Sequence, residues 1–156
     1  MANKRKSIRD YAVNALETAF GAGATIYNAR YLAPKAETAL QNPVITIFTP
    51  DDSSELTEDD TNNNRRQTIE AVLFVTGDEE HEEPASGESP IIDRIDAAAA
   101  TIENTLSSFR ESFGGLVFRC VYSDTTIDVF GSDDSGYLIG VAVIRFRAEY
   151  FEQLDS

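Results

Sequence analysis

Ile91, Ile95, Ala98, Ile102, Leu106, Phe109 and Phe113 step by four, three, four, four, three and four residues, which draws one apolar stripe along a helix. Ser89 stands where it can cap that helix, Pro90 fits its first position, and Gly114-Gly115 marks its end. The same period runs through Ile8, Ala12, Ala15, Leu16 and Ala19, with Tyr11 at the flank. Ser7-Ile8-Arg9-Asp10 has the form of a capping box, so this first helix is expected to start at Ser7, and Gly21 with Gly23 to stop it. Elsewhere the period is two. Ala24 to Tyr31 predicts a short strand, and Pro43-Val44-Ile45-Thr46-Ile47-Phe48 a second one closed by Pro50. Gln67 to Thr76 predicts a strand with both faces at least partly covered. Leu116 to Tyr122 and Thr125 to Phe130 predict two more. The last strand, Tyr137 to Phe151, turns Ala142, Ile144, Phe146, Ala148 and Tyr150 inward and Val143, Arg145, Arg147 and Glu149 outward.

Strands gathered as hairpins beside two one-faced helices predict an α+β fold: a two-layer sandwich, mostly antiparallel, with both helices on one face of the sheet. At 156 residues the chain is expected to make a single domain over 1–156. Two polar stretches interrupt it, 51–66 and 77–90, each expected to be a long acidic loop. They account for the charge. Against 13 Lys and Arg the chain sets 27 Asp and Glu, a net of −14. Asp51 to Asp60 and Asp78 to Glu88 hold six acidic residues each and no Lys or Arg. Without those twelve, the remaining body is nearly neutral. This distribution is the reverse of the clustered Lys and Arg that neutralise phosphates, so specific nucleic-acid binding is not expected. No stretch approaches the roughly 18 uncharged apolar residues of a membrane span, and Lys4-Arg5-Lys6 leads into no apolar signal core.

Catalytic chemistry is hard to assemble from these residues. His81 is the only histidine and lies among acidic neighbours in Asp78-Glu79-Glu80-His81-Glu82-Glu83, where adjacent loop residues do not converge on a metal unaided. Asp60-Thr61-Asn62-Asn63-Asn64 opens like a calcium loop, but Arg65 stands at the glycine position and Ala71 at the bidentate glutamate position. Cys120, the sole cysteine, alternates with Phe118 and Tyr122 in a strand and reads as a buried structural thiol, which also excludes an internal disulfide. Gly21-Ala22-Gly23 terminates a helix and does not cradle a phosphate. No enzyme, metal or cofactor is expected. Recognition between proteins remains. The outward Arg145 and Arg147 sit among apolar residues, as at interfaces, and Arg65 and Arg66 are placed to meet Asp51, Asp52, Glu55, Glu58, Asp59 and Asp60 of a neighbouring copy.

Nearly the whole chain resembles the tail-terminator (tail-completion) family of long-tailed bacteriophages. The resemblance lies in the amphipathic first helix leading to Tyr27-Asn28-Ala29-Arg30, in the proline-led strand Pro43 to Phe48 followed by an acidic bend, and in the helix Ile92 to Phe109. Its most specific part is the end, where Asp133-Asp134-Ser135-Gly136 precedes the strand Tyr137 to Tyr150. The acidic stretch Gly77 to Pro90 and the basic start have no counterpart in the family's compact members. The resemblance implies a structural virion protein, made in the host cytoplasm, that forms a ring, usually a homohexamer, on the head-proximal end of the tail tube. Its partners would be copies of itself, the tail-tube protein and the head connector, with genomic DNA passing through the lumen without specific binding and no membrane contact. Acidic residues lining that lumen would repel the passing phosphates. Two alternatives stay open: a neck or head-completion protein, and, in a different class, an acidic cation-binding or accessory α+β domain.

Overall fold

The structure is a computed structural model, and it describes residues 4–31, 34, 39, 42–50, 52–56, 62–78, 90–107, 116–117, 119–131 and 137–153. The chain begins with helix α1, Lys4–Phe20, followed by a 3-10 turn at Gly21–Gly23. Strands β1 (Thr25–Asn28), β2 (Val44–Phe48), β3 (Asp52–Leu56) and β4 (Asn62–Asp78) come next. Helix α2, Pro90–Leu106, then leads to β5 (Arg119–Gly131) and β6 (Tyr137–Gln153). The six strands form one sheet in the order β1-β2-β4-β6-β5, with β3 also paired to β4. Every pairing is antiparallel except β1 with β2. This is the expected α+β sandwich.

Alternation decides which side of the sheet is covered. Ile45 and Ile47 of β2, Ile69, Ala71, Leu73 and Val75 of β4, and Ala142, Ile144, Phe146 and Ala148 of β6 are all buried in one cluster. The helices complete that cluster from the same side. Ile8, Ala12, Val13 and Leu16 come from α1, and Ile91, Ile95, Ala98, Ile102 and Leu106 from α2. Five residues of the stripe that predicted the second helix thus form its buried face, while Phe109 and Phe113 lie outside the described residues. Where α2 crosses β6 the approach is close: a Cβ on Gly140 would fall 2.5 Å from Ile95 Cδ1. Arg94 adds a polar tie by donating from Nη1 to the Thr76 carbonyl at 2.7 Å.

The structure corrects several expectations. The first helix starts at Lys4, so Ser7 lies inside it, and Asp10 serves side chains of Lys6 and Asn28 instead of a helix end. Gly21 does end the helix, at φ 57°, a left-handed backbone that glycine takes without steric penalty. Within the stretch 51–66 the described residues are strand, while 51 and 57–61 lie outside them. Asp52–Leu56 pairs with Asn63 to Gln67, which makes a hairpin of β3 and an extended β4. In the second stretch Gly77 and Asp78 belong to β4 and Pro90 to α2, and 79–89 lie outside the described residues. The two short strands predicted over 116–130 are one, β5, with a bulge between Tyr122 and Asp124. That bulge keeps the inward alternation of Cys120 and Tyr122 from continuing in register.

Candidate interface on the open sheet face

With both helices on one side, the opposite face of the sheet carries the other half of each alternation. Two regions divide it. Toward the Val44–Phe74 end, Phe48, Val72, Phe74, Val141 and Val143 are half-buried. Toward the other end, rows of charged residues cross three strands. Arg119 of β5 pairs in register with Glu149 of β6, which pairs with Arg66 of β4. Two rows along, beyond the row of Arg147, Asp124 stands opposite Arg145, and Arg145 opposite Glu70.

Glu149 is the centre of the first row. It faces outward, as the alternation predicts, yet it is only 2% exposed, because arginines cover it. Arg119 hydrogen-bonds its carboxylate through Nε, and the Nε atoms of Arg66 and Arg147 lie 3.5 and 3.6 Å from it. The hydrogen bond from Arg119, with the positive charge of the arginines around it, holds the Glu149 carboxyl below its ordinary value despite the opposing cost of burial. In the second row Arg145 Nη1 donates to Asp124 at 2.7 Å, and its Nε lies 3.4 Å from Glu70. These arginines are half-exposed, so they neutralise the carboxylates beneath them and still present charge to solvent.

A cleft of about 590 Å³ adjoins these rows at Glu70. The chain builds it by leaving the sheet edge at Ala29. Ala29 has φ 55°, a left-handed conformation unusual for a residue with a Cβ, and its N–H donates to the Ile47 carbonyl at 2.9 Å. The turn brings Arg30 over β2, where the Thr46 hydroxyl accepts from the Arg30 N–H at 3.0 Å and donates to its carbonyl at 3.3 Å. Tyr31 packs on Phe48 with ring centroids 5.0 Å apart, although it remains 89% exposed. The Arg30 guanidinium lies 4.5 Å from the centre of the Tyr27 ring. From α1, Arg9 donates to Asn28 Oδ1 at 2.6 Å and to Thr49 Oγ1 at 3.2 Å, while Asn28 donates to Asp10. Lys6 and Asn28 together lower the Asp10 carboxyl from its ordinary value. The result is an apolar floor of Phe48, Val72 and Phe74 with Arg5, Arg9 and Arg30 at its margin.

Of the residues expected to meet a partner, the structure gathers Arg66, Arg145 and Arg147 on this face. Arg65 is separated from Arg66 because neighbours in a strand point to opposite sides, and it pairs in register with the inward Tyr150. Asp52 and Glu55 belong to β3, whereas Asp51, Glu58, Asp59 and Asp60 lie outside the described residues. Arg119 and the three cleft arginines are additions. The alternation that turned Cys120 inward already placed Arg119 outward, but nothing local indicates that β5 sets it beside Glu149. Cys120 is buried, and burial pushes its thiol up to about 12, in keeping with a structural role. Among the described residues no group of three or more His, Cys, Asp or Glu is placed to hold a metal ion. No described helix is long and apolar enough to cross a membrane.

No protein-family model matches the chain, and no curated protein matches it. Among solved structures, the chain is similar to one from the virion of a native gene transfer agent particle. That likeness has 14% sequence identity, covers 90% of this chain and 91% of the other, and has a TM-score of 0.49.

Proposed function

We propose that this protein is a structural component of a tailed-phage virion, forming a ring that caps the head-proximal end of the tail tube and offers its other side to the head connector. One observation carries the reading: a sheet face that no described element covers, on which half-buried Phe and Val side chains lie beside several half-exposed arginines, in a chain of net charge −14. Apolar residues mixed with arginine are the composition of protein interfaces. The sequence resemblance to tail terminators supplies the biological setting, and two of its phrases, Tyr27 to Arg30 and Pro43 to Phe48, contribute residues to the cleft on that face.

A terminator has to satisfy the growing end of a tube without recreating that end on its far side. Subunits joined head to tail in a closed ring do this, since each contact is answered by the next subunit and no free surface remains to extend a filament. Mixing the purified chain with the polymerising tail-tube protein of the same virus tests the proposal. Tubes should stop at a length that falls as the ratio of this chain to tube protein rises, and native mass spectrometry should show a closed oligomer. Tubes of unchanged length, with the chain monomeric at all concentrations, would overturn it.

A further inference from the structure

We infer that the Arg30–Tyr31 corner of one copy docks on an uncovered strip of β5 in the next copy, with Tyr31 against Ile127 and Val129 and Arg30 facing the carboxylates of Asp96 and Glu103 on α2. This contact would join the subunits of the ring proposed above, and it rests on that proposal.

The acceptor follows from where the helices stop. Ile127 and Val129 pair in register with Ala142 and Gly140, which are buried on the helix side of the sheet. Ile127 nevertheless remains 39% exposed and Val129 40%. The reason is the seat of α2, whose Ile91 and Ile95 close over Gly140 of β6 while Arg94 reaches back to Thr76 of β4. With 3.6 residues per turn, the flank of α2 away from Arg94 carries Ile92, Asp96, Ala99 and Glu103 and turns toward β5. Asp96 is exposed and Glu103 half-buried, and neither has an ion-pair partner among the described residues. An apolar shelf thus lies beside an acidic wall. The complement stands at the other border of the sheet. Tyr31 is exposed but rests on Phe48, the Arg30 guanidinium rests on Tyr27, and the Thr46 hydroxyl bonds both backbone groups of Arg30. The corner is therefore set before contact and loses little freedom on docking. Arg30 has no carboxylate partner among the described residues, so its charge matches the acidic wall. Tyrosine and arginine are also the side chains that most often carry binding energy at interfaces.

A chain cannot make this contact with itself. Tyr31 lies on Phe48 of β2, on the open face, whereas Ile127 belongs to β5 and points to the helix side. Three strand spacings, about 14 Å, separate the two strands. Opposite faces at opposite borders meet only between copies that overlap like roof tiles. Because the two patches differ, the contact is head to tail, the kind that closes into rings.

Disulfide trapping on the full chain tests the contact directly. One batch carries Tyr31→Cys, a second carries Ile127→Cys, and the two are mixed under mild oxidation. Cys120 can stay in place, since its buried thiol is not ionised at neutral pH. We expect a crosslink between the two variants, and none when Thr126→Cys, on the other side of the same strand, replaces Ile127→Cys. Sedimentation equilibrium gives a second readout. Arg30→Glu should weaken self-association on the order of tenfold, and adding Asp96→Arg to it should regain most of that loss, which a purely structural role for Arg30 would not produce. Rings that form without the crosslink, or an Asp96→Arg change that rescues nothing, would refute the docking and leave the ring proposal standing. A chain that stays monomeric at every concentration would overturn both. A crosslink from Ile127→Cys to added tail-tube protein, in place of the Tyr31→Cys variant, would also refute the docking, because the strip would then receive the tube.

Discussion

Glu149 is a carboxylate buried on a face that alternation alone assigns to solvent, and its environment makes a pH prediction with a definite sign. Its folded value lies below the ordinary 4.5, so its contribution to stability is whole above 4.5 and is lost as the pH falls through the folded value. Glu149→Gln removes the charge at nearly constant shape and leaves three arginines crowded without it. At pH 7 the variant should lose about 1–3 kcal/mol by urea denaturation, and the gap from the parent should close once the pH is low enough to protonate Glu149. A gap independent of pH would mean that packing, not charge, was lost. Ala29 offers the opposite kind of test. Holding a Cβ at φ 55° costs of order 1 kcal/mol, part of which glycine returns as extra freedom in the unfolded chain. Ala29→Gly should therefore raise stability by a few tenths to about 1 kcal/mol. A loss would show that the alanine methyl makes contacts worth more than the strain.

At the scale of elements, the seating of α2 on β6 depends on a missing side chain. Gly140→Ala drives a methyl into Ile95 Cδ1, and overpacking of this kind costs about 1–3 kcal/mol. Ile95→Val deletes the clashing atom, so in the Gly140→Ala background it should recover stability, although alone it costs about 1 kcal/mol. That reversal of sign in a double-mutant cycle is the measurement. The β3–β4 hairpin belongs to a different category, because the short strand β3 pairs with β4 alone. Replacing Glu55 to Asn62 with Asn-Gly should leave thermal unfolding nearly unchanged while abolishing ring formation, measured by native mass spectrometry. The hairpin is also where the sequence was least legible. Asp52-Ser-Ser-Glu-Leu has poor intrinsic preference for a strand, and its conformation comes from pairing with β4, which no local pattern reveals. The helices were legible for the opposite reason, since one continuous stripe demands one buried face whatever lies beneath it. Even there the capping box misplaced the start of α1. Asp10 has the right spacing from Ser7, but its partners come from Lys6 and from Asn28 across the gap to β1. The outward residues of β6 were legible one at a time by parity, whereas β4 read as covered on both faces. Their grouping around Glu149 depends on register between strands far apart in the chain, and the cleft depends on a backbone reversal at an alanine.

For the whole molecule, the charge sets two opposing forces on assembly. Copies at −14 repel one another over long range, while opposite charges brought together at an interface attract at contact. Salt screens the first before the second, because the Debye length falls from about 30 Å at 0.01 M to about 8 Å at 0.15 M and about 3 Å at 1 M. Self-association measured by sedimentation should accordingly rise with added salt, pass through a maximum near physiological strength, and decline toward 1 M. A monotonic rise would assign cohesion to apolar contact alone. The two borders of the sheet carry a further consequence. One is divided between β1, four residues long, and β3, five, while the other, β5, is thirteen and broken by a bulge. Borders so unequal cannot be zipped to each other along their lengths, so hydrogen-bonded ribbon continuity from subunit to subunit is not how such copies would be welded. Each would keep its own sheet intact and adhere through side chains, leaving a collar whose joints can pivot slightly as they fit a tube below and a connector above.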